Sequence, residues 1–125
     1  MPERPDLPFH LLERLRSLLA RLPECEEQEA WVGVCWRVRR ATVAHAFGGE
    51  DQLFRVTFRA EPDEVMALQH LGPPYFKAGW GGNVVGVVLD DDTDWEELGE
   101  LLTDSYCLQA PAQLATQVPR PGATG

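Results

Sequence analysis

Three consecutive runs of strand-type residues constrain this chain more than any other feature. They are "AWVGVCWRV" (30–38), "ATVAHAF" (41–47) and "QLFRVTFRA" (52–60). β-Branched and aromatic residues recur in them at every second position, the pattern of strands buried on one face. The links are only Arg39-Arg40 and "GGED" at 48–51. Because short links join antiparallel neighbours, the sequence predicts a three-stranded meander.

The positions of the two turns predict a register. Turns at Arg39-Arg40 and 48–51 place Val34 opposite His45, and His45 opposite Phe54. A single slip would exchange the two faces of a strand, so the division of side chains tests the register. The predicted apolar face carries Val32, Val34, Trp36, Val38, Val43, Phe47, Phe54, Val56 and Phe58. The predicted polar face carries Arg37, Thr42, Ala44, Arg55, Thr57 and Arg59.

Helical patterns surround the meander. "DLPFHLLERLRSLLARLP" has leucines at helical spacing, with Asp6 as its expected N-cap and Pro23 at its end. "EPDEVMALQHL" and "TDWEELGELLTDSYCL" predict two more helices, and "VVGVVLD" predicts a strand that is either covered on both faces or an inner strand of the sheet. "ECEEQE" is expected to be an acidic loop. The order predicts an α+β two-layer sandwich, with an antiparallel meander sheet and helices on one face.

Length and charge limit the class of protein. A chain of 125 residues fits one domain, predicted at 1–110, followed by a disordered Pro/Ala/Gly-rich tail at 111–125. Residues 1–59 carry nine basic and nine acidic side chains, whereas residues 60–125 carry two and eleven. The charged opening residues argue against a signal peptide, and no apolar run is long enough to span a membrane. Three distant cysteines indicate no disulfide framework, so a cytoplasmic location is expected.

The polar face of the predicted meander is the first candidate site. Arg37, Arg55 and Arg59 share it, and Arg39 and Arg40 lie at its rim. Guanidinium groups beside hydroxyls suit phosphate contacts, so weak, salt-dependent binding of DNA or of another anion is one interpretation. An ordinary solvated sheet face is the other. An exposed tryptophan at position 31 would stack on a base, unless it packs under the first helix.

The second candidate is an aromatic cluster in "PPYFKAGWGGN". Tyr75, Phe76 and Trp80 would line a pocket or close one end of the core. Together with the acidic second half of the chain, this cluster supports an alternative function, a protein-interaction module. The predicted register separates His45 from Cys35, so no catalytic pair, enzyme activity or cofactor is expected.

The aspartates of "LDDDTD" resemble the start of a calcium loop. Counted from Asp90, the sixth and twelfth positions are Trp95 and Leu101, where an EF-hand needs glycine and glutamate. Thr93 and Glu96 instead have capping-box spacing. The sequence therefore predicts a helix start here and no metal site.

Several local strings also carry a family resemblance. "LPECEE", "AWVGVCWRV", "PPYFKAGW", "VVGVVLD" and "DWEELGELLTDSYCLQAP" resemble the MmcQ/YjbR family of small bacterial proteins over roughly residues 9–112. The resemblance implies a frataxin-like α+β fold, a DNA-binding label and no established enzymatic activity. Members often have lysine after the terminal Ala-Pro, whereas position 112 here is alanine, which removes a possible basic contact.

Overall fold

The computed structural model describes residues 5–79 and 81–118. It confirms the α+β class: one sheet is covered by helices on one side. In chain order the elements are α1 (Phe9–Leu19), β1 (Cys25–Glu29), β2 (Val34–Val38), β3 (Ala41–Gly48), β4 (Phe54–Arg59), α2 (Pro62–Leu71), β5 (Tyr75–Lys77), β6 (Val84–Leu89), α3 (Trp95–Gln109) and α4 (Ala112–Ala115).

The sheet has six antiparallel strands in the order β1-β2-β3-β4-β6-β5. The predicted meander is present, but it has four strands, because "ECEEQE" contributes β1. The prediction of an acidic loop there was wrong. β1 lacks an apolar alternation, since four of its five residues are exposed, and it is held by pairing from Cys25–Val38 to Glu29–Val34 along β2. The segment forms a strand because it pairs with β2, and not because its own residues favour a strand.

One apolar cluster joins the helices to the sheet. Leu15 and Leu19 of α1 and Leu102 and Tyr106 of α3 are fully buried in it, and α2 adds Val65 and Leu68 on the same side. The sheet contributes Trp36, Val38, Ala44, Ala46, Val56, Phe58, Val85, Val87 and Leu89. We call the opposite surface of the sheet the open face.

The register differs from the prediction. Val34 lies opposite Ala46 and not opposite His45, and His45 lies opposite Thr57 and not opposite Phe54. The first turn is at Arg39-Arg40 as predicted, but the second connection extends over residues 49–53. The longer connection moves β4 along β3.

A bulge changes the faces of β3. Trp36 pairs with Ala44 but Arg37 pairs with Thr42, so Val43 is an extra residue without a partner on β2. As a result Ala44, predicted on the polar face, is buried against the helices. Phe47, predicted on the apolar face, shares the open face with Arg55. The predicted faces of β2 and β4 agree with the structure.

Two helix starts also differ from the prediction. Pro8, and not Asp6, occupies the N-cap position of α1. At α3 the N-cap is Asp94, whose carboxylate accepts from the Glu97 N–H at 3.0 Å. The Thr93 hydroxyl accepts instead from the Asp90 N–H at 2.8 Å. The capping box is therefore replaced by an aspartate cap one residue later, which also satisfies a free amide of the first turn.

The region expected to be a disordered tail begins with α4. Its Leu114 is buried, which fixes this short helix to the core. Residues 119–125 of the predicted tail lie outside the described residues. Within the described part of the chain, no helix is long and apolar enough to cross a membrane.

Candidate functional site

The open face contains a cleft of about 260 Å³ above the middle of the meander. Polar side chains from three strands line it, and Ala30 and Val84 complete its walls. The loop between β1 and β2 folds toward it, since His45 Nε2 donates to the Val32 carbonyl at 2.5 Å. The polar lining residues are Cys35, Thr42, His45, Thr57 and Arg59.

The register places Arg37, Arg55 and Arg59 on this face. Arg55, however, is paired with Asp51: one guanidinium nitrogen donates to Oδ1 at 2.9 Å and a second donates to Oδ2. Hydrogen bonds from Arg55, and then from the Leu53 N–H, lower the pKa of Asp51 to about 2. The charge of Arg55 is therefore neutralised by a neighbour.

The two rim arginines differ. Arg39, in the left-handed region at φ 57°, donates to Glu24 at 3.0 Å, and this hydrogen bond is the main cause of the lowered pKa of Glu24. Arg40 is exposed at the same turn. Of these two arginines, Arg39 is paired with Glu24, whereas Arg40 forms no salt bridge with a carboxylate of the described residues.

Arg37 and Arg59 have neutral partners. Arg37 Nη2 donates to the Arg40 carbonyl, and Arg59 Nη1 donates to Asn83 Oδ1 at 3.0 Å. The Nε of Arg37 is buried without a hydrogen-bond partner among residues 5–79 and 81–118. Neither side chain forms a salt bridge there, so two positive charges on the open face remain unbalanced.

Cys35 and His45 are direct partners across β2 and β3 and both line the cleft. The prediction that they occupy opposite faces was wrong, because the bulge shifts β3 by one residue relative to β2. A carbonyl only accepts, so the contact to Val32 assigns the proton to Nε2 and leaves Nδ1 as the acceptor in a neutral ring. The cleft thus has a thiol and an imidazole on the same surface.

Two members of the predicted aromatic cluster, Tyr75 and Phe76, are not brought together. Tyr75 and Phe76 are consecutive in β5 and point to opposite sides of the sheet, and Trp80 lies outside the described residues. Tyr75, on the helix side, donates its hydroxyl to Glu97; burial first, and then this contact, raise the pKa of Tyr75. Phe76, on the open face, covers Gly86, where a Cβ would lie 2.4 Å from the ring. The guanidinium carbon of Arg55 is 5.8 Å from the Phe76 ring centroid.

Tyr75 instead lines a second cavity of about 730 Å³, which we call the acidic groove. Its floor is apolar, and its rim is formed by the loop before α3 and by the first turn of that helix. Sequence reasoning missed it, because the proline pair and the aspartate run are separated along the chain. The residues that line it are Leu53, Pro73, Pro74, Tyr75, Val87, Val88, Asp90, Asp92, Thr93, Asp94, Glu97, Leu98 and Leu101.

In the described ranges, no group of three or more His, Cys, Asp or Glu side chains is arranged to hold a metal ion. Asp90, Asp92 and Asp94 are the alternating aspartates that first resembled a calcium loop. Asp90 Oδ1 accepts from the Asp92 N–H at 2.8 Å, and Asp94 caps α3. Two of these carboxylates therefore have local structural roles.

Comparison with known proteins identifies the family. The solved structure of the Deinococcus radiodurans protein DR2400, with a DUF419 domain, superposes with a TM-score of 0.70 at 20% identity, covering 99% of this chain and 94% of that one. At this identity the likeness shows the fold alone. The curated proteins contain no match. The model of the YjbR family matches residues 20–108, well over half of the sequence, and so the chain belongs to the YjbR family.

Proposed function

We propose that this protein is a binding module that holds an oxyanion, such as a phosphate group, in the cleft of the open face. The observation that carries the proposal is the state of Arg59, which lines the cleft and has a neutral amide as its partner. The half-buried Thr42 provides a hydroxyl beside it. A guanidinium with a neighbouring hydroxyl donor suits a phosphate oxygen.

The number of unbalanced charges favours a small ligand. Of the five arginines on the face and its rim, three form no salt bridge with a described residue: Arg37, Arg40 and Arg59. Contacts from two or three arginines to phosphates give a slope of log affinity against log salt of about −2 to −3. The net charge of −9 also repels a polyanion. A single phosphate, free or on a short nucleic acid, therefore fits better than a long duplex.

Trp31 offers a way to distinguish sources of phosphate. It lies in the loop between β1 and β2 and is wholly exposed, so it does not pack under α1. Ala30, the preceding residue, lines the cleft. An exposed indole stacks on nucleobases, so a nucleotide has one contact that inorganic phosphate lacks.

Nuclear magnetic resonance titration of the ¹⁵N-labelled protein tests the proposal. Inorganic phosphate, adenosine monophosphate and a short single-stranded DNA are added separately at about 50 mM and about 200 mM salt, a range over which phosphate contacts weaken. We expect shifts of Thr42, His45, Thr57 and Arg59 with each ligand, smaller at high salt. Trp31→Ala should weaken the binding of the two ligands that carry bases and leave the binding of inorganic phosphate unchanged.

The decisive variant is Asn83→Asp, which places a carboxylate at the partner position of Arg59 without removing the guanidinium. We expect phosphate affinity to fall about fivefold or more, because the charge is then paired. Gln69→Glu makes the same amide-to-carboxylate change on an exposed position of α2 and serves as the matched control. Absence of shifts with all three ligands at low salt, or equal losses in both variants, would overturn the proposal.

A further inference from the structure

We propose that the acidic groove docks an extended cationic peptide of a partner protein, with one apolar side chain seated on the groove floor. The groove lies on the helix side of the sheet, where Tyr75 meets the first turn of α3. The anion cleft is on the opposite surface. The two proposals therefore rest on different residues and fail separately.

The floor of the groove provides the apolar contact. Three buried apolar residues line the groove together with the half-buried Tyr75 ring: Val87, Leu98 and Leu101. Leu53, in the connection between β3 and β4, lines the groove with 47% of its surface exposed. A cavity of about 730 Å³ with an exposed leucine at its wall is within the usual size range of ligand sites.

The rim determines the charge of the occupant. Asp90, Asp92, Asp94 and Glu97 line the groove, and the residues of 5–79 and 81–118 that line it include no lysine, arginine or histidine. The hydrogen bonds that these carboxylates accept come from neutral groups: two backbone amides and the Tyr75 hydroxyl. Their negative charge is thus not compensated, and a lysine- or arginine-bearing partner complements it.

The arrangement of floor and rim favours a peptide over an ion. The carboxylates belong to the loop before α3 and to the first turn of that helix, from Asp90 to Glu97, and apolar residues line the same groove. An extended chain places successive side chains on opposite sides, so alternating cationic and apolar residues reach the rim and the floor together. A single metal ion would use neither Leu53 nor the length of the rim.

A synthetic peptide of alternating residues, Lys-Ala-Lys-Leu-Lys-Ala-Lys, is the probe. Titration into the ¹⁵N-labelled protein should shift Leu53, Val88, Asp92 and Glu97 and leave the cleft residue Thr42 unchanged. Replacing the peptide leucine with serine should weaken binding, and replacing its lysines with glutamate should abolish it. Shifts confined to residues outside the groove would overturn the proposal.

Two neighbouring aspartates supply a matched pair of variants. Asp92 lines the groove and Asp91 does not, although both are exposed in the same loop. Asp92→Lys should lower the affinity for the peptide about fivefold or more, because its side chain lines the groove. Asp91→Lys should lower this affinity less than about twofold, because its side chain does not. Equal losses would show general charge attraction and refute docking in the groove.

A variant of the floor completes the test. Leu53→Ser is expected to keep the fold, since the side chain is half exposed, and to remove the preference for the leucine peptide over the serine peptide. If the variant still preferred the leucine peptide to the serine peptide, the proposed contact between Leu53 and the peptide leucine would be contradicted. Calcium alone should neither shift Asp92 and Asp94 nor compete with the peptide at millimolar concentration. Competition would make the rim a cation site and would also overturn the proposal.

Discussion

The hydroxyl of Ser105, on the buried side of α3, donates to the carbonyl of Val43 at 2.6 Å. Val43 is the residue that the bulge leaves without a partner on β2. The same hydroxyl accepts from the Arg59 N–H at 2.9 Å, and Gln109 of α3 donates to the Thr42 carbonyl at 3.0 Å. The helix thus satisfies backbone groups around the bulge that would otherwise lose hydrogen bonds in the interior.

Ser105→Ala should lower the free energy of unfolding by about 1–3 kcal/mol, because a buried carbonyl and a buried amide lose their partner. Thr103→Val is the matched control: the Thr103 hydroxyl donates to the Gly99 carbonyl of its own helix at 2.7 Å. That carbonyl belongs to the helical ladder, so the control should change stability much less. Chemical denaturation of both variants measures the difference, and equal losses would contradict a special role of the bulge contact.

Gly86→Ala should destabilise the sheet by about 1–3 kcal/mol, because the new methyl group meets a packed ring. The built Cβ lies 2.4 Å from Phe76 Cζ. Gly82→Ala has no atom of residues 5–79 and 81–118 within 4 Å of its Cβ and should be close to neutral. Thermal unfolding measures both. The double variant Gly86→Ala, Phe76→Ala should recover part of the loss, and additive losses would show that the ring is not the cause.

Cys25 should resist alkylation in the folded protein. Burial, and then the charge of Glu26, raise the pKa of Cys25 to about 11 from an ordinary value of 9.0. The reactive thiolate is therefore scarce near pH 8, and labelling with iodoacetamide should accelerate as the pH approaches 11. Peptide mapping by mass spectrometry gives the rate at this residue.

The Cys25 thiol makes the folding stability fall as the pH rises, whereas a carboxylate in an ion pair makes the stability rise with pH. The folded chain holds the thiol proton more tightly than the unfolded chain, so stability declines from about pH 9 to about pH 11. Cys25→Ala should remove this part of the decline. A Cys25 labelling rate at pH 8 equal to that in urea would show that the thiol is not shielded.

Asp51→Asn should release the guanidinium of Arg55 on the open face. Because the pKa of Asp51 is lowered to about 2 from 3.8, the pair is fully formed above pH 4 and is lost as the pH falls through 2. The pair is exposed, so we expect little change in melting temperature. Under the proposed function, phosphate affinity should rise.

Glu13→Gln provides the comparison for that variant. It removes an acidic partner of Arg16 on α1, in the helix layer, at similar exposure. Phosphate affinity should stay unchanged in it. A rise of equal size in both variants would reflect net charge alone and would argue against a local role of Arg55.

The sequence predicted the arginine face because large apolar residues alternate clearly in β2 and β4. It failed for β3, where the small Ala44 and Ala46 face the core and the larger Phe47 does not. A bulge and a five-residue connection cause this inversion, and neither leaves a signal in hydrophobic periodicity.

The partners of the arginines were beyond prediction for a related reason. Asp51, Asn83 and Glu24 belong to connections whose shape depends on the finished sheet. Whether a guanidinium meets a carboxylate or an amide determines its net charge in the site. Residue type in a strand indicates which face a side chain occupies, but the loops determine whether it is available.

The acidic outer strand β1 has a consequence for the behaviour of many copies in solution. Its free edge exposes Glu26 and Glu29, which form no salt bridge with a described residue, so two such edges repel each other before their backbones can pair. Glu27 is additionally held by Arg16 at 2.7 Å, which fixes one carboxylate in place. These glutamates are the reason that the sequence pattern did not predict a strand here, and they also oppose aggregation by strand addition. Acid would neutralise them and high salt would screen them, so either condition would weaken this protection.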